Sequence, residues 1–152
     1  MKINVSAIKN CSSFEINNVT YYIKFKSSID DQNIIKEIKI LEKINSANII
    51  KIIKKHIGFF NLIIFNQNFL FVASDQISSY PFIWSKENNE IIILENFNNI
   101  ETSNLKIDYF AKTCLNYSGY TLNNRTIFEK YNYLKPGEII CFENNKFSLS
   151  KW

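Results

Sequence analysis

Residues 58–84 read "GFFNLIIFNQNFLFVASDQISSYPFIW", and this stretch decides the fold. Two continuous apolar runs, separated by "NQN", predict two neighbouring strands of a sheet that is covered on both faces. Asp75 then opens a small polar bend, and Pro81 leads into a third apolar run. An aspartate accepts hydrogen bonds from the backbone N–H groups that follow it, and proline is tolerated where a strand begins. The bend is therefore predicted to end one core strand and to start the next.

The composition describes a chain that can bury one large core. The sequence has 152 residues, of which 46% are hydrophobic, and it includes 13 Phe and 8 Tyr. That length predicts a single domain over residues 1–152. The net charge is +4, with the lysines spread along the chain. We therefore expect no binding of nucleic acid, which requires a dense basic face.

The cysteines and the hydropathy predict a cytoplasmic protein. Cys11, Cys114 and Cys141 lie far apart without CxxC spacing, and the first residues contain no apolar signal-peptide segment. Such an odd set of cysteines is typical of reduced thiols in the cytoplasm. No window approaches 18 uninterrupted apolar residues, so we expect no transmembrane helix and no membrane partner.

Three further pairs of β-prone runs surround the central stretch. The segment "FEINNVTYYIKF" predicts a hairpin that turns at Asn17-Asn18, because asparagine tolerates a positive φ angle. The runs "YPFIWS" and "EIIILE" predict a second pair around residues 87–89. A Pro136-Gly137 turn precedes "EIICFENNKFSLSKW", which predicts a closing hairpin.

Two helices are predicted between the first hairpin and the central stretch. Asp30 and Asp31 are cap candidates for the first, which carries isoleucines at helical spacing and lysines on the opposite face. Ser46 is the cap candidate for the second helix. Gly58 lies where a C-terminal glycine is expected to end it.

A third helix is predicted to start near Ser103 or Asn104 and to end at Gly119. Its expected buried stripe consists of Ile107, Phe110, Ala111, Cys114 and Leu115. Together these elements predict an α+β domain with helices on mostly antiparallel sheets.

The order of these segments resembles the N-terminal, glutaminase-type domain of asparagine synthetases and their relatives. In that family a Gly-x-Phe strand and a hairpin lead to an "RDxxGxxPLYY" loop, followed by a Thr-hydrophobic-aromatic segment, an "LPPG" segment and an aromatic-Trp pair. The resemblance covers about residues 31–152, with Ser74 replacing the Arg, Ser78 replacing the Gly and Lys135 replacing the first proline. The matching residues are Gly58, Phe60, Asp75, Pro81, Phe82, Trp84, Thr126, Ile127, Phe128, Leu134, Pro136 and Gly137.

The resemblance implies an αββα sandwich of antiparallel sheets flanked by helices, as in N-terminal-nucleophile hydrolases, in a reduced form. In active members a cysteine follows the initiator Met and attacks the glutamine amide, with its own amine as the base. This sequence has Lys2 at that position. No glycine precedes Gly58, so the glutamine-binding Asn-Gly-Glu segment is missing as well. We therefore expect no glutaminase chemistry and assign no catalytic residue.

The resemblance also implies a partner. Active relatives continue into an ATP-pyrophosphatase domain with a Ser-Gly-Gly-x-Asp-Ser loop, and relatives with a degenerate glutaminase-like domain use it as a scaffold for amide formation. We expect this chain to be such a scaffold, with a separately encoded ATP-pyrophosphatase subunit or a second copy of itself as its partner. The expected structural or docking loop comprises Asp75, Ser78, Tyr80, Pro81, Phe82, Trp84, Pro136 and Gly137.

Two alternative functions remain open from the sequence. The chain could be a stand-alone module that binds a peptide or a small ligand. It could also be an amidohydrolase whose processing exposes Cys11, or one that uses its single histidine, His56, as a base. Neither ligand clusters for a metal nor a glycine-rich phosphate loop is visible, so we expect no metal and no cofactor.

Overall fold

The computed structural model describes residues 1–6, 11–25, 28–41, 43–56 and 58–152, and its fold class is α+β. The strands are β1 (Lys2–Val5), β2 (Ser12–Ile16), β3 (Val19–Phe25), β4 (Phe60–Phe65), β5 (Leu70–Ser74), β6 (Ile83–Glu87), β7 (Glu90–Leu94), β8 (Asn132–Tyr133), β9 (Glu138–Glu143) and β10 (Lys146–Lys151). The α-helices are α1 (Ser28–Lys39), α2 (Ser46–Ile53) and α3 (Tyr109–Ser118).

The chain divides into two compact units. The large unit consists of Lys9–Tyr80 and Pro136–Trp152, and the small unit of Met1–Ile8 and Pro81–Lys135. Each unit contains one sheet. The assignment of residues 1–152 to a single domain and the αββα order of layers stay predictions.

The sheet of the large unit is antiparallel throughout and has the strand order β10-β9-β5-β4-β3-β2. One set of alternating strand residues packs with α1 and α2 in a single core cluster, whose largest members include Tyr21, Phe60 and Phe71. The opposite set, including Ile63 and Val72, is also buried. The predicted burial of both faces is therefore confirmed for β4 and β5, where ten of the eleven residues are buried and Phe65 is half-buried.

Asparagine pairs form the tight turns of three hairpins. Asn17-Asn18, Asn88-Asn89 and Asn144-Asn145 all have φ angles between 42° and 65°. Asparagine adopts this left-handed conformation at lower cost than most residues, and two such residues in succession match the twist of the flanking strands. The three predicted hairpins are thus confirmed by the structure.

The helices of the large unit exist as predicted, but their ends differ. The helix α1 begins at Ser28, so Asp30 and Asp31 lie inside its first turn and the prediction that they cap it was wrong. The cap of α2 is Asn45, whose Oδ1 accepts a hydrogen bond from the Asn48 N–H at 2.9 Å. This helix ends at Ile53, several residues before Gly58.

In the large unit, a side-chain hydrogen bond connects the start of α2 to the sheet. The Ser46 hydroxyl donates a hydrogen bond of 2.7 Å to Oε2 of Glu143, the last residue of β9. The serine that was predicted as a cap therefore serves a tertiary contact instead. No helix of the described residues has the length and apolar character needed to cross a membrane.

The sheet of the small unit has the strand order β1-β7-β6-β8. Its β1–β7 pair is parallel, which differs from the predicted antiparallel sheets, whereas the other two pairs are antiparallel. The backbone N–H of Lys2 donates to the Asn89 carbonyl at 2.8 Å, and its ammonium group lies 3.4 Å from Glu90. Lys2 is therefore an ordinary strand residue of this sheet.

The helix α3 is shorter than predicted because its cap lies later in the sequence. Asp108 caps it, with Oδ1 accepting from the Ala111 N–H at 3.0 Å and Oδ2 lying 2.6 Å from the Arg125 guanidinium. The Ala111 hydrogen bond, together with Arg125, lowers the pKa of the Asp108 carboxyl. Gly119 ends the helix with a φ of 77°, as predicted.

The Asp108 charge is expected to contribute stability that depends on pH. Because its folded pKa lies below the ordinary value of 3.8, this contribution is fully present above that pH and is lost as the pH falls through the folded pKa. Asp108→Asn keeps a good cap but removes the ion pair, and should cost about 0.5 kcal/mol at neutral pH. Urea unfolding of both proteins at neutral pH and at about pH 3 should show this difference shrinking in acid. A difference that stays constant with pH would contradict the assignment.

Candidate functional site

The side chain of Asp75 organises the bend that follows β5. It is 1% exposed, and both of its carboxylate oxygens accept hydrogen bonds from backbone N–H groups. Oδ2 accepts from Phe60 at 3.0 Å, while Oδ1 accepts from Ile77 at 2.9 Å and from Ser79 at 3.2 Å. One buried carboxylate therefore holds both the start of β4 and the loop after β5.

The backbone of Asp75 makes further connections at the same point. Its N–H donates to the Phe60 carbonyl at 3.1 Å, and its carbonyl accepts from Ser78 at 3.2 Å. The same carbonyl accepts from the Gly137 N–H at 2.8 Å. The turn that precedes β9 is thereby attached to the end of β5.

Ser78 keeps a glycine-like conformation in this loop. Its φ angle is +53°, in the left-handed region that glycine adopts readily and that other residues enter at a cost of about 1–2 kcal/mol. The family resembled by the sequence has glycine at this position. The backbone conformation at Ser78 is therefore one that glycine would adopt at lower cost.

Trp152 completes the junction in the large unit. Its indole Nε1 donates to the Ser74 carbonyl at 3.0 Å, and its backbone N–H donates to the Gly137 carbonyl at 3.1 Å. Its ring lies 5.7 Å from the Phe60 ring between centroids. Four segments that are far apart in sequence, at Phe60, Asp75, Gly137 and Trp152, thus meet at one place. We call this set the Asp75 junction.

Two further segments that match the glutaminase-type domain make hydrogen bonds within the small unit. The Leu134 N–H donates to the Phe82 carbonyl at 2.7 Å, which joins the "LKPG" segment to the residue after Pro81. Thr126 is buried, and its hydroxyl lies 2.9 Å from the Phe128 carbonyl and 3.2 Å from that of Tyr131. The matched residues of this unit also hold turns and strand ends together.

The predicted docking residues differ widely in accessibility. Asp75, Phe82 and Gly137 are buried, so their role is structural. Pro81 and Pro136 are exposed, whereas Ser78, Tyr80 and Trp84 are half-buried. Because β6 begins at Ile83, Tyr80 lies in the preceding loop and not on the strand that was predicted to carry it.

A hollow of about 390 Å³ opens beside the Asp75 junction. Its apolar walls come from Phe59, Ile77 and Trp152, and Lys54 and His56 also line it. The remaining lining residues are Gly58, Asp75 and Gln76. We call this cavity the Trp152 hollow.

His56 is engaged by an acidic residue. Its Nε2 lies 3.1 Å from Oε1 of Glu37, and Lys55 lies 3.0 Å from the other oxygen of that carboxylate. The hydrogen bond from Lys55, assisted by His56, lowers the pKa of Glu37. In the part of the chain that the structure describes, His56 has no hydrogen bond to a serine or cysteine that could act as a nucleophile.

The cysteines differ in burial. Cys141 is buried in β9, and burial raises the pKa of its thiol, which disfavours the reactive thiolate. Cys11 is half-buried and directly precedes β2. Across the described ranges, no three His, Cys, Asp or Glu side chains are grouped closely enough to hold a metal ion.

An exposed apolar surface lies on α3 and on the residues just after it. The sequence analysis predicted a buried stripe in this helix instead. Among the described residues, six of the ten exposed large hydrophobic side chains lie between residues 109 and 122. Of the predicted buried stripe, only Ala111 is buried, while Phe110 is 54% and Leu115 39% exposed. We call this the α3 surface; its members are Tyr109, Phe110, Leu115, Tyr117, Tyr120 and Leu122.

Comparison with solved structures identifies the fold. One match is the glutamine phosphoribosylpyrophosphate amidotransferase from B. subtilis complexed with ADP and GMP, with 12% identity and a TM-score of 0.52. Another is the allosteric regulatory enzyme of purine biosynthesis, with 12% identity and a TM-score of 0.53. The chain has an α+β fold similar to that of these amidotransferases, which is an N-terminal-nucleophile-like fold.

The extent of these matches limits what they show. They cover 92% of this chain but only 31% and 30% of the two solved chains, so the chain spans about a third of their length. At this identity they establish the fold and not the asparagine synthetase branch. No protein-family model and no curated protein matches the sequence.

Loss of the Asp75 carboxylate should destabilise the protein strongly. In Asp75→Ala the N–H groups of Phe60, Ile77 and Ser79 lose their acceptor, which should lower the free energy of unfolding by about 3 kcal/mol. Asp75→Asn keeps one acceptor oxygen and should cost less than half as much. Urea unfolding measures both, with Glu101→Ala as an exposed carboxylate control expected within about 0.5 kcal/mol of wild type. Equal effects of Asp75→Ala and the control would contradict the structural role.

Proposed function

We propose that this chain is a non-catalytic, glutaminase-like scaffold that supports an ATP-dependent, amide-forming ligase or cyclase of the asparagine synthetase type. It acts through protein–protein contact with a separately encoded ATP-pyrophosphatase subunit. The observation that carries the proposal is the α3 surface, because a helix that buries a single alanine leaves most of its apolar area available to a partner.

The size of the α3 surface fits a protein partner. Its four aromatic side chains are between 54% and 90% exposed, and together they present on the order of 500 Å². A stable interface buries about 800 Å² on each side, with aromatic residues as its main anchors. Phe110 and Tyr117 lie seven residues apart on α3 and therefore share one face. The surface supplies more than half of the area that a partner needs.

The comparison with solved structures supports a protein partner. In both solved structures this fold accounts for about a third of a longer chain, so the fold is there joined to further protein. The synthetase type of the partner rests on the resemblance of the sequence to the glutaminase-type domain of asparagine synthetases. The expected loss of glutaminase chemistry, with Lys2 at the position of the nucleophile in that family, agrees with this role.

The proposal is tested by tagging the protein in its own cells and identifying by mass spectrometry what co-purifies. We expect a protein with a Ser-Gly-Gly-x-Asp-Ser loop, and no release of ammonia from glutamine by the isolated chain. Tyr117→Glu should reduce recovery of that protein by about tenfold or more, as for a central aromatic anchor. Tyr117 is 90% exposed, so the substitution should leave folding intact.

The matched control is Leu149→Glu, which changes another exposed apolar residue, on β10, away from the α3 surface. It should leave recovery unchanged. Recovery of no ligase subunit, or equal recovery with Tyr117→Glu and Leu149→Glu, would overturn the proposal. A self-dimer that Tyr117→Glu dissociates would replace the synthetase subunit with a second copy as the partner.

A second candidate function, a small-ligand binding module, is favoured by the Trp152 hollow. This cavity is lined mainly by apolar groups with a few polar ones, as ligand sites usually are. The chemistry of its ligand follows from the residues around it.

A further inference from the structure

The apolar walls of the Trp152 hollow are exposed although the residues are large. Phe59 is 46% and Ile77 is 64% exposed, and both face the same cavity of about 390 Å³. That volume is near the lower end of the roughly 300–1,000 Å³ found for small-molecule sites. The hollow therefore fits a ligand about the size of one amino acid.

The walls are held in place before any ligand arrives. The indole of Trp152 is fixed by its hydrogen bond to the Ser74 carbonyl at 3.0 Å, and it packs on Phe60. The backbone of Ile77 is fixed by its hydrogen bond to Asp75 at 2.9 Å. A pre-ordered apolar site loses less conformational entropy on binding than a mobile one.

The charged side chains around the hollow differ in whether they can bind a charged ligand. The Asp75 carboxylate is already saturated by the N–H groups of Phe60, Ile77 and Ser79, so it offers little to a cation. His56 is engaged by Glu37 at 3.1 Å. Lys54 is exposed and has no ion pair with any residue in the described ranges, and its ammonium group remains available to an anion.

We propose that the Trp152 hollow binds a small carboxylate with an aromatic or branched aliphatic side chain. The apolar group lies between Phe59, Ile77 and Trp152, and the carboxylate pairs with the Lys54 ammonium. This chemistry is shared by a free amphipathic acid and by the C-terminal residue of a peptide. The site uses none of the residues of the α3 surface. This proposal can therefore be tested separately from the proposal of a protein partner.

The test is a titration of isotope-labelled protein followed by NMR, with the indole N–H of Trp152 and the amides of Gln76 and Ile77 as reporters. N-acetyl-phenylalanine should shift them saturably with a Kd on the order of 1 mM, as expected for a ligand of this size. N-acetyl-phenylalaninamide, which lacks the charge, should bind about threefold to fivefold more weakly, the factor that an exposed ion pair provides.

Two variants separate the two parts of the site. Lys54→Gln should weaken the acid to the level of the amide and leave the amide unchanged, whereas Ile77→Ser should weaken both. The matched control Lys51→Gln removes an exposed lysine in the last turn of α2, close to Lys54 in sequence, that does not line the hollow, and it should change neither. Absence of saturable shifts, equal affinities for acid and amide, or no effect of Lys54→Gln would overturn the proposal.

The source of the ligand is distinguished by two further probes. Binding of 3-phenylpropionate but not of the peptide Gly-Gly-Phe identifies a free acid, and the reverse identifies a peptide C-terminus. Either result supports the shared chemistry. Failure of both probes to shift the Trp152 indole N–H contradicts it.

Discussion

The junction of β4, β5 and β9 in the large unit depends on one buried carboxylate, that of Asp75. A carboxylate without partners would be very costly at 1% exposure, and here its cost is offset by hydrogen bonds from three backbone N–H groups. These donors lie at the start of β4 and in the loop after β5. The backbone of the same residue adds Gly137, at the entry to β9. A single side chain and its peptide groups therefore connect the ends of three neighbouring strands.

This constraint gives the bend after β5 a structural role. Among the residues that match the glutaminase-type motifs, Phe60, Asp75, Thr126, Leu134 and Gly137 join segments of the chain. Ser78 has a left-handed backbone although it is not glycine. Lys2 is an ordinary member of the β1–β7 pair. These motif residues therefore hold turns and strand ends together in this fold.

Much of the fold could be predicted from the sequence because the signals were local. Asparagine pairs marked two hairpin turns, continuous apolar runs marked β4 and β5 as buried on both faces, and Gly119 marked the end of α3. The first residues of the helices were harder to predict from the sequence. Several polar residues near each start can cap a helix, and tertiary contacts decide among them, as when Ser46 bonds to Glu143 and leaves the cap to Asn45.

The functional surfaces were less predictable for physical reasons. Helical spacing marks Phe110 and Leu115 as an apolar stripe, but it does not tell whether the chain itself covers that stripe. The parallel pairing of β1 with β7 joins residues nearly 90 positions apart, which no local pattern encodes. The Trp152 hollow likewise forms only when α2, the Asp75 bend and Trp152 are brought together by the fold. These features depend on non-local contacts, and short sequence patterns carry little information about such contacts.

The central claim is that the bend after β5 is a rigid structural junction and not a mobile functional loop. Native-state hydrogen exchange at the amides of Ile77, Ser79 and Gly137 tests it most directly, because these N–H groups bond to Asp75. The account predicts that they exchange only through global unfolding, with the same opening free energy as core amides of β4. Exchange of these amides by local opening, at the rates of an exposed loop and with β4 still protected, would contradict it.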